Sequence, residues 1–224
     1  MEAEIKEVGE RGVIFQYEDQ NLVYLIKGEN RLYLCDTHEG PESMEHVRRY
    51  IEDNNLTDKN LIVFNSHSDF DHNWGNCFFK DNTIIGHKLN LERFKFRGEY
   101  DLDVKGHFQK GNVELIYPNL TFEEKITFAD DQIEFIYTPG HTICSAICYD
   151  KKDSTVYVGD MVEAPIPVLL WRDLNQFINS LEYIKSLPAN TVIASHSGIV
   201  DEKLINNNIK YVKNLINDSE VDFE

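Results

Sequence analysis

The strongest constraint on this chain is a dense group of polar side chains that follows a short apolar run. His67, Asp69, Asp71 and His72 stand within six consecutive positions. Neighbouring carboxylates repel each other, and burying them unpaired would cost several kcal/mol. Imidazole nitrogens and carboxylate oxygens together suit zinc, iron or manganese. The segment is therefore predicted to bind metal, and an ordinary polar surface loop is the weaker alternative.

Further candidate ligands follow strand-like segments elsewhere in the chain. The apolar run 61–64 before the dense group has the pattern of a strand buried on both faces, and open α/β sheets present their ligands at the carboxyl ends of such strands. Three more polar residues each follow a β-rich segment and stand close to a glycine, which relaxes the backbone. They are His141 after residues 133–137, Asp160 after residues 155–158 and His196 after residues 191–194.

This combination of motifs resembles the metallo-β-lactamase superfamily of metallohydrolases, over nearly the whole chain from Asp36-Thr37 to His196. The loop is similar to the family's His-X-His-X-Asp-His motif, and the contexts Pro-Gly-His and Gly-Asp also match. The resemblance implies an α/β fold, a four-layer αββα sandwich, with two divalent metal ions. It implies that His67, Asp69 and His141 hold the first metal and that Asp71, His72 and His196 hold the second. Asp160 would bridge both metals, and Asp36 would orient the ligands without binding a metal itself.

One position departs from the family pattern. Asp69 stands where the hydrolases of the family usually carry histidine. A carboxylate makes the first site harder and more anionic, which favours iron or manganese over zinc. The flavodiiron oxidoreductases are similar in carrying a carboxylate there, a glutamate, but they have a flavodoxin domain for which this chain is too short.

The resemblance leads us to expect a binuclear hydrolase with zinc or iron, or manganese, as its metals. A metal-bridging hydroxide, oriented by Asp71, would attack a small ester, thioester, lactone or related substrate. The alternative is a non-haem di-iron oxidoreductase that reduces oxygen or a related small molecule. A metal-binding module without turnover ranks last, because an open set of ligands costs stability to maintain.

Composition limits the partners. Lys and Arg number 22 against 39 Asp and Glu, for a net charge of −17, which disfavours nucleic acids and anionic membranes as partners. No apolar run is long enough to span a bilayer and the start is unlike a signal peptide, so we expect a soluble, cytoplasmic protein with a small-molecule substrate. Its length predicts one domain, 1–224, whereas the oligomeric state stays open. The four cysteines are expected to be free thiols.

Local patterns predict the remaining elements. Helices are expected at 41–54, 87–96, 173–187 and 204–216, and strands at 13–15, 22–26 and 32–34. Residues 97–111 are expected to form a long loop near the cleft, and the acidic tail 218–224 to be frayed. The apolar stretch 161–171 contains two prolines, which exclude a regular helix or a core strand. It could be a substrate-binding wall with Ile166, Leu169 and Trp171, or an irregular connection packed beneath the next helix.

Overall fold

Two β-sheets packed face to face form the centre of the computed structural model, which describes residues 2–18 and 21–219. The first sheet has seven strands in chain order: β1 (Ala3–Val8), β2 (Gly12–Tyr17), β3 (Leu22–Lys27), β4 (Arg31–Cys35), β5 (Asn60–Asn65), β6 (Thr83–His87) and β7 (Leu120–Phe122). The second sheet has six strands: β8 (Lys125–Phe128), β9 (Ile133–Tyr137), β10 (Ala146–Asp150), β11 (Thr155–Tyr157), β12 (Thr191–Ala194) and β13 (Gly198–Val200). They pair with their neighbours in chain order, so that β8 and β13 form the edges.

The described residues also form five α-helices: α1 (Pro41–Asp53), α2 (Phe70–Asn73), α3 (Lys88–Lys105), α4 (Leu174–Ser186) and α5 (Glu202–Ser219). Two 3₁₀-helices lie at Trp74–Phe79 and Gly106–Phe108. Helix α1 packs on the outer face of the first sheet, and α4 and α5 pack on the outer face of the second. The expected αββα sandwich is therefore confirmed.

The alternation of side chains along the strands explains the layers. In β4, Leu32 and Leu34 face outward and pack with Met44 of α1, whereas Tyr33 and Cys35 face inward between the two sheets. Successive residues of a strand point to opposite faces, so a strand that is apolar at every position is covered on both sides. The apolar runs in the sequence thus correspond to strands between a helix layer and the other sheet.

Strand directions place the candidate ligands at one edge of the sandwich. Strand β11 pairs in parallel with β12, and β9 runs in the same direction because β10 is antiparallel to both β9 and β11. The carboxyl ends of these three strands therefore lie at the same edge of the second sheet. His141, Asp160 and His196 follow β9, β11 and β12 respectively, as the sequence predicts.

The prediction of a long loop at residues 97–111 is wrong. Helix α3 continues to Lys105, and a 3₁₀-helix follows at Gly106–Phe108. Gly98 lies where α3 is closely packed: a Cβ there would lie 3.2 Å from Leu115 and Phe94 side-chain carbons. The helix mixes charged and aromatic residues around its circumference, so its sequence shows no continuous apolar stripe.

The stretch 161–171 has no helix or strand, as expected, and two of its side chains fit the packed connection rather than the substrate-binding wall. Leu169 packs against the core beneath α4 and α5, and Trp171 Nε1 donates to Gln176 Oε1 of α4 at 3.3 Å. Ile166, Val168 and Leu170 are the exposed apolar residues of the segment. Of the three residues proposed for the wall, only Ile166 is exposed, because alternate residues of an extended chain face the same side.

Two other expectations concern termini and cysteines. All four cysteines lie within the described ranges and are free thiols, as expected. The acidic tail falls outside the described residues, apart from the backbone that ends α5. Within those same ranges, every helix is too short or too polar to cross a lipid bilayer.

A buried ion pair connects the two sheets at the edge opposite the ligands. Arg11, in the turn between β1 and β2, donates from Nε to Asp150 Oδ2 at 2.8 Å and from Nη2 to the carbonyl oxygen of Asp131 at 2.7 Å. Asp150, at the end of β10, is fully buried.

We expect Asp150→Asn to lower the free energy of unfolding by about 3–5 kcal/mol, because it leaves the Arg11 charge buried without its counterion. Urea denaturation measures the change. Asp130→Asn, which removes an exposed ion pair with Arg31, is the control and should have little effect. Equal stabilities of the Asp150 variant and the unchanged protein would show that the pair is not a major contributor.

Candidate metal centre

The ligand loop begins where β5 ends. Ser66 follows the strand, and the loop then turns into the short helix α2 at Phe70. The Asn73 side chain braces the loop, because its Nδ2 donates to the carbonyl oxygens of His67 at 2.8 Å and Asp69 at 2.7 Å. A loop fixed at both ends in this way presents its side chains in a defined geometry.

Two groups of candidate ligands form around this loop. In the first, Asp69 Oδ2 lies 3.5 Å from His141 Nε2 and 3.8 Å from His67 Nε2. The second group pairs the end of the loop with β12. There, Asp71 Oδ2 lies 3.5 Å from His72 Nε2 and 3.3 Å from His196 Nε2. The structure therefore divides the six side chains into the same two groups that the resemblance implies.

Asp160 lies between the two groups. Its Oδ2 is 3.6 Å from His67 Nε2 and 3.7 Å from His141 Nε2. The same oxygen is 3.3 Å from both His72 Nε2 and His196 Nε2. A single carboxylate oxygen thus contacts all four histidines, which is the position required of a bridging ligand.

These side chains fit a pair of metal ions. Nitrogen and oxygen ligands about 2.0–2.2 Å from a tetrahedral cation lie about 3.3–3.6 Å from one another, close to the separations here. The Nε2 atoms of His67, His72 and His141 and the Oδ1 atom of Asp160 are buried and have no hydrogen-bond partner within the described ranges. Buried polar groups normally have partners, so four orphaned atoms at one place indicate that a ligand completes the site.

Electrostatics supports the same conclusion. Burial lowers the pKa of His67 to about 4. Burial also lowers the pKa of His141 and His196, but nearby carboxylates outweigh this effect. Asp69 and Asp160 raise the pKa of His141 to about 9. Asp160 and Asp71 raise the pKa of His196 to about 10. The carboxylates thus attract positive charge, and a divalent cation would replace the protons that the two histidines otherwise hold.

Asp36, which follows β4, connects the ligand loop to the second sheet through hydrogen bonds. It accepts hydrogen bonds from His72 Nδ1 at 2.8 Å, Tyr157 OH at 2.7 Å and both the backbone and hydroxyl of Ser66. The Ser66 hydroxyl in turn contacts His67 Nδ1 at 2.9 Å. With the Nδ1 atoms engaged, the Nε2 atoms of both histidines face the site. Sequence reasoning identified Asp36 but missed Ser66 and Tyr157.

Gly159 is required for this packing. Its φ angle of +55° is in the left-handed region, and a Cβ at this position would lie 2.7 Å from Ser66 Oγ. A larger residue would therefore displace the hydroxyl that contacts His67, and it would be strained by its backbone conformation. The glycine before Asp160 allows β11 to approach the ligand loop closely.

The stretch 161–171 holds His141, a role that sequence reasoning did not find. The carbonyl oxygen of Val168 contacts His141 Nδ1 at 3.0 Å, and the Leu170 amide donates to the His141 carbonyl at 3.0 Å. Glu163 accepts the Val168 amide at 2.7 Å, and Asn208 of α5 bonds both backbone groups of Glu163 at 2.9 Å. Glu163, near the start of the stretch, is therefore anchored to α5, and residues 168–170, near its end, hold the candidate ligand His141.

We expect Asp36→Ala to weaken metal binding at the second site by about 10- to 100-fold, since residues that orient a metal-binding histidine have effects of this size. Competition with a chromophoric chelator measures the affinity. Tyr157→Phe removes only one of the hydrogen bonds to Asp36, so the loss should be smaller. An unaltered affinity in the Asp36 variant would mean that His72 keeps its orientation without this contact.

Comparison with known proteins identifies relatives of this chain. The family model of the metallo-β-lactamase superfamily matches residues 17–196. A hydroxyacylglutathione hydrolase of Prochlorococcus marinus is 26% identical over 179 residues, covering 78% of this chain and 63% of the relative. A probable metallo-hydrolase of Methanocaldococcus jannaschii is 33% identical over 151 residues, covering 64% of this chain and 61% of the relative. The chain therefore spans about three fifths of the length of these curated relatives.

Solved structures share the fold at lower identity. A metallo-β-lactamase from Erythrobacter litoralis superposes with a TM-score of 0.77 at 16% identity, covering 95% of this chain and 97% of the other. One from Pontibacter korlensis has a TM-score of 0.72 at 17% identity, covering 95% of this chain and all of the other. Similarity at this level of identity establishes the architecture and leaves the substrate open.

Proposed function

Because the chain belongs to the metallo-β-lactamase superfamily, we propose that it is a binuclear metal-dependent hydrolase of a small ester, thioester, lactone or related substrate. The observation that carries the proposal is the position of Asp160, whose Oδ2 lies 3.3–3.7 Å from the Nε2 atoms of four histidines. A relative named for hydroxyacylglutathione hydrolysis supports an acyl compound as the substrate.

The ligands would hold two divalent cations, zinc or iron, with manganese as a further option. Bound there, such cations make water nucleophilic near neutral pH and polarise the oxygen of the substrate group that is attacked. Asp71 is in a position to direct the water, because its Oδ2 lies 3.5 Å from His72 Nε2 and 3.3 Å from His196 Nε2. Asn21 Nδ2 donates to the Asp71 carbonyl at 3.1 Å and fixes that residue from outside the loop. We propose that Asp71 accepts a hydrogen bond from the attacking water and sets its direction.

The test of this function combines metal content with turnover. Elemental analysis of the purified protein should give about two metal ions per chain, because seven candidate ligands exceed the four that one tetrahedral ion uses. The same preparation should hydrolyse 4-nitrophenyl esters. One metal ion at full occupancy would disprove the binuclear site, and two metals without turnover of any ester, thioester or lactone would disprove the hydrolase.

Removing the metals should also destabilise the fold. Ligand at about 100 times its dissociation constant stabilises a protein by about 2.7 kcal/mol, and for a protein of this size that corresponds to roughly 5–11 °C in Tm. Calorimetry with and without a chelator measures the shift. Readdition of zinc or iron should restore the original Tm, whereas identical values in both conditions would show that the cluster of carboxylates does not depend on a cation.

Asp69 supports a second candidate, a non-haem di-iron oxidoreductase. The first group contains two histidines and one carboxylate, His67, His141 and Asp69. This set of ligands is better suited to iron than a set of three imidazoles would be. An absorption spectrum that changes on reduction, together with oxygen consumption in the presence of a reductant, would favour the oxidoreductase. A spectroscopically silent protein that cleaves esters would favour the hydrolase.

A further inference from the structure

Helix α3 lies along the ligand loop, and three of its residues contact the end of β5 or the loop. Asn90 Nδ2 donates to the Asn65 carbonyl at 3.5 Å. One turn later, Arg93 Nε donates to Ser68 Oγ at 3.2 Å. The Nζ atom of Lys105, near the helix end, lies 4.2 Å from the centroid of a ring in the loop, that of Phe70. Residues spaced by three or four positions share a helix face, and Lys105, twelve positions after Arg93, lies about 120° further round the helix. This side of α3 therefore forms a wall beside the candidate metal centre.

That wall is positively charged on a strongly negative protein. Arg93, Arg97 and Lys105 stand at i, i+4 and i+12, and we call them the basic face. The chain carries a net charge of −17, so these three cations, offset by the one carboxylate of Asp101, form a local exception. A cationic surface next to a reaction centre raises the local concentration of anions.

The charges of the basic face are only partly used within the protein. Arg93 Nη1 and Nη2 have no hydrogen bond or ion pair within the described residues, since only Nε is engaged with Ser68. Arg97 pairs with Asp101 at 3.1 Å, and its side chain is still 46% exposed. A guanidinium with free Nη groups can bind a carboxylate or phosphate with two parallel hydrogen bonds.

The basic face is not explained by a need to neutralise the negative charge of Asp69. Asp101 first, and Asp69 more weakly, raise the pKa of Arg97, so some attraction to the loop exists. The ion pairs of Asp69 within 4.0 Å in the described structure, however, are with His67 and His141, and none is with an arginine. The guanidinium groups are thus near the ligand loop without being bound to its carboxylates.

Apolar surface adjoins the basic face. Phe70 and Phe108 have ring centroids 5.6 Å apart, and Phe108 is 42% exposed. Lys105 covers the Phe70 ring. A ligand held there would meet apolar rings and cations together, as expected for a small organic anion.

We propose that the basic face binds an anionic group of the substrate, so that the preferred substrates are esters or thioesters bearing a carboxylate or phosphate away from the bond that is cleaved. Arg93 is the principal contact and Arg97 assists it. This inference rests on the proposed hydrolase function and specifies its substrate class.

The test compares two esters that differ at one end. Mono-4-nitrophenyl succinate carries a carboxylate where 4-nitrophenyl butyrate carries a methyl group. The unchanged protein should favour the succinate ester, and added salt should reduce that preference by screening the charges. Arg93→Gln should lower kcat/KM for the succinate ester by about 10- to 100-fold, mainly through KM, since it removes a charge-assisted contact. The butyrate ester should change by less than about twofold.

Lys95→Gln is the matched control, because it removes a positive charge from the same helix at a residue that contacts the Tyr117 ring rather than the ligand loop. It should leave the preference between the esters intact. An equal loss for both esters in Arg93→Gln would overturn the proposal, because it would show that Arg93 acts through Ser68 on the ligand loop. The absence of any preference in the unchanged protein would also overturn it.

A binding measurement separates this inference from the proposed function. Calorimetric titration of the metal-loaded protein with succinate requires no turnover, and Arg93→Gln should weaken that binding by at least about tenfold. Binding that depends on Arg93 without hydrolysis of either ester would support the anion site while refuting the hydrolase. Hydrolysis of both esters, with succinate binding unaffected by Arg93→Gln, would refute the anion site alone.

Discussion

Replacement of Asp160 by alanine is expected to remove both metal ions together. Its Oδ2 lies within 3.7 Å of every histidine in the centre, two from each ligand group. Loss of the carboxylate should weaken metal affinity by more than about 100-fold, the upper limit for residues that only support a ligand. Ester hydrolysis should fall by at least about 100- to 1,000-fold, as expected when a preorganised electrostatic group is lost from a reaction centre.

Elemental analysis of the Asp160→Ala protein, together with circular dichroism, distinguishes loss of metal from loss of fold. Asp173→Ala is a suitable control, because it removes another acidic side chain, the N-cap of α4, whose Oδ1 accepts the Gln176 amide. That variant should keep two metals and lose only some stability, about 0.5–2 kcal/mol. If Asp160→Ala does not fold, Asp160→Asn provides the same comparison with less change in shape. Retention of one full metal in a folded variant would show that Asp160 belongs to a single site.

The ligands could be predicted because they obey a local rule. His141, Asp160 and His196 each follow a short strand, and the strands end at one edge of a sheet. An apolar run that stops at a polar residue is visible in the sequence, and the layered architecture brings such ends together. Runs that are apolar at every position also predict strands covered on both faces, whereas the αββα arrangement is implied by the resemblance to the metallo-β-lactamase superfamily.

The supporting residues could not be predicted because their contacts join distant parts of the chain. Tyr157 reaches Asp36 across 121 residues, and in the sequence it is simply one more apolar position of β11. Glu163 acts through the backbone of Val168, which leaves no pattern in side-chain identities. Arg93 is one of several cations on a mixed helix, and only its contact with Ser68 separates it from the others.

Replacement of Asp69 by histidine, the residue that the family's hydrolases usually carry there, should shift metal preference at the first site toward zinc. The change substitutes a borderline nitrogen for a hard oxygen opposite His67 and His141, and it removes one negative charge from the ligand set. We expect the ratio of zinc to iron affinity to rise by at least about tenfold, because a direct ligand should matter no less than the residues that orient ligands. The side chain is 24% exposed, which leaves some space for the larger ring.

Competition between zinc and ferrous iron under anaerobic conditions, followed by elemental analysis, measures the shift. Asp69→Asn is the matched control: it keeps the shape and an oxygen donor but removes the charge. It should weaken both metals with no comparable gain for zinc, because a neutral oxygen lacks both the charge of the carboxylate and the softness of imidazole. A zinc preference that appears only with histidine would establish Asp69 as a direct ligand that selects the metal. Equal metal preferences in the unchanged and Asp69→His proteins would place Asp69 outside the coordination sphere, and the case for iron in this centre would then lose its main support.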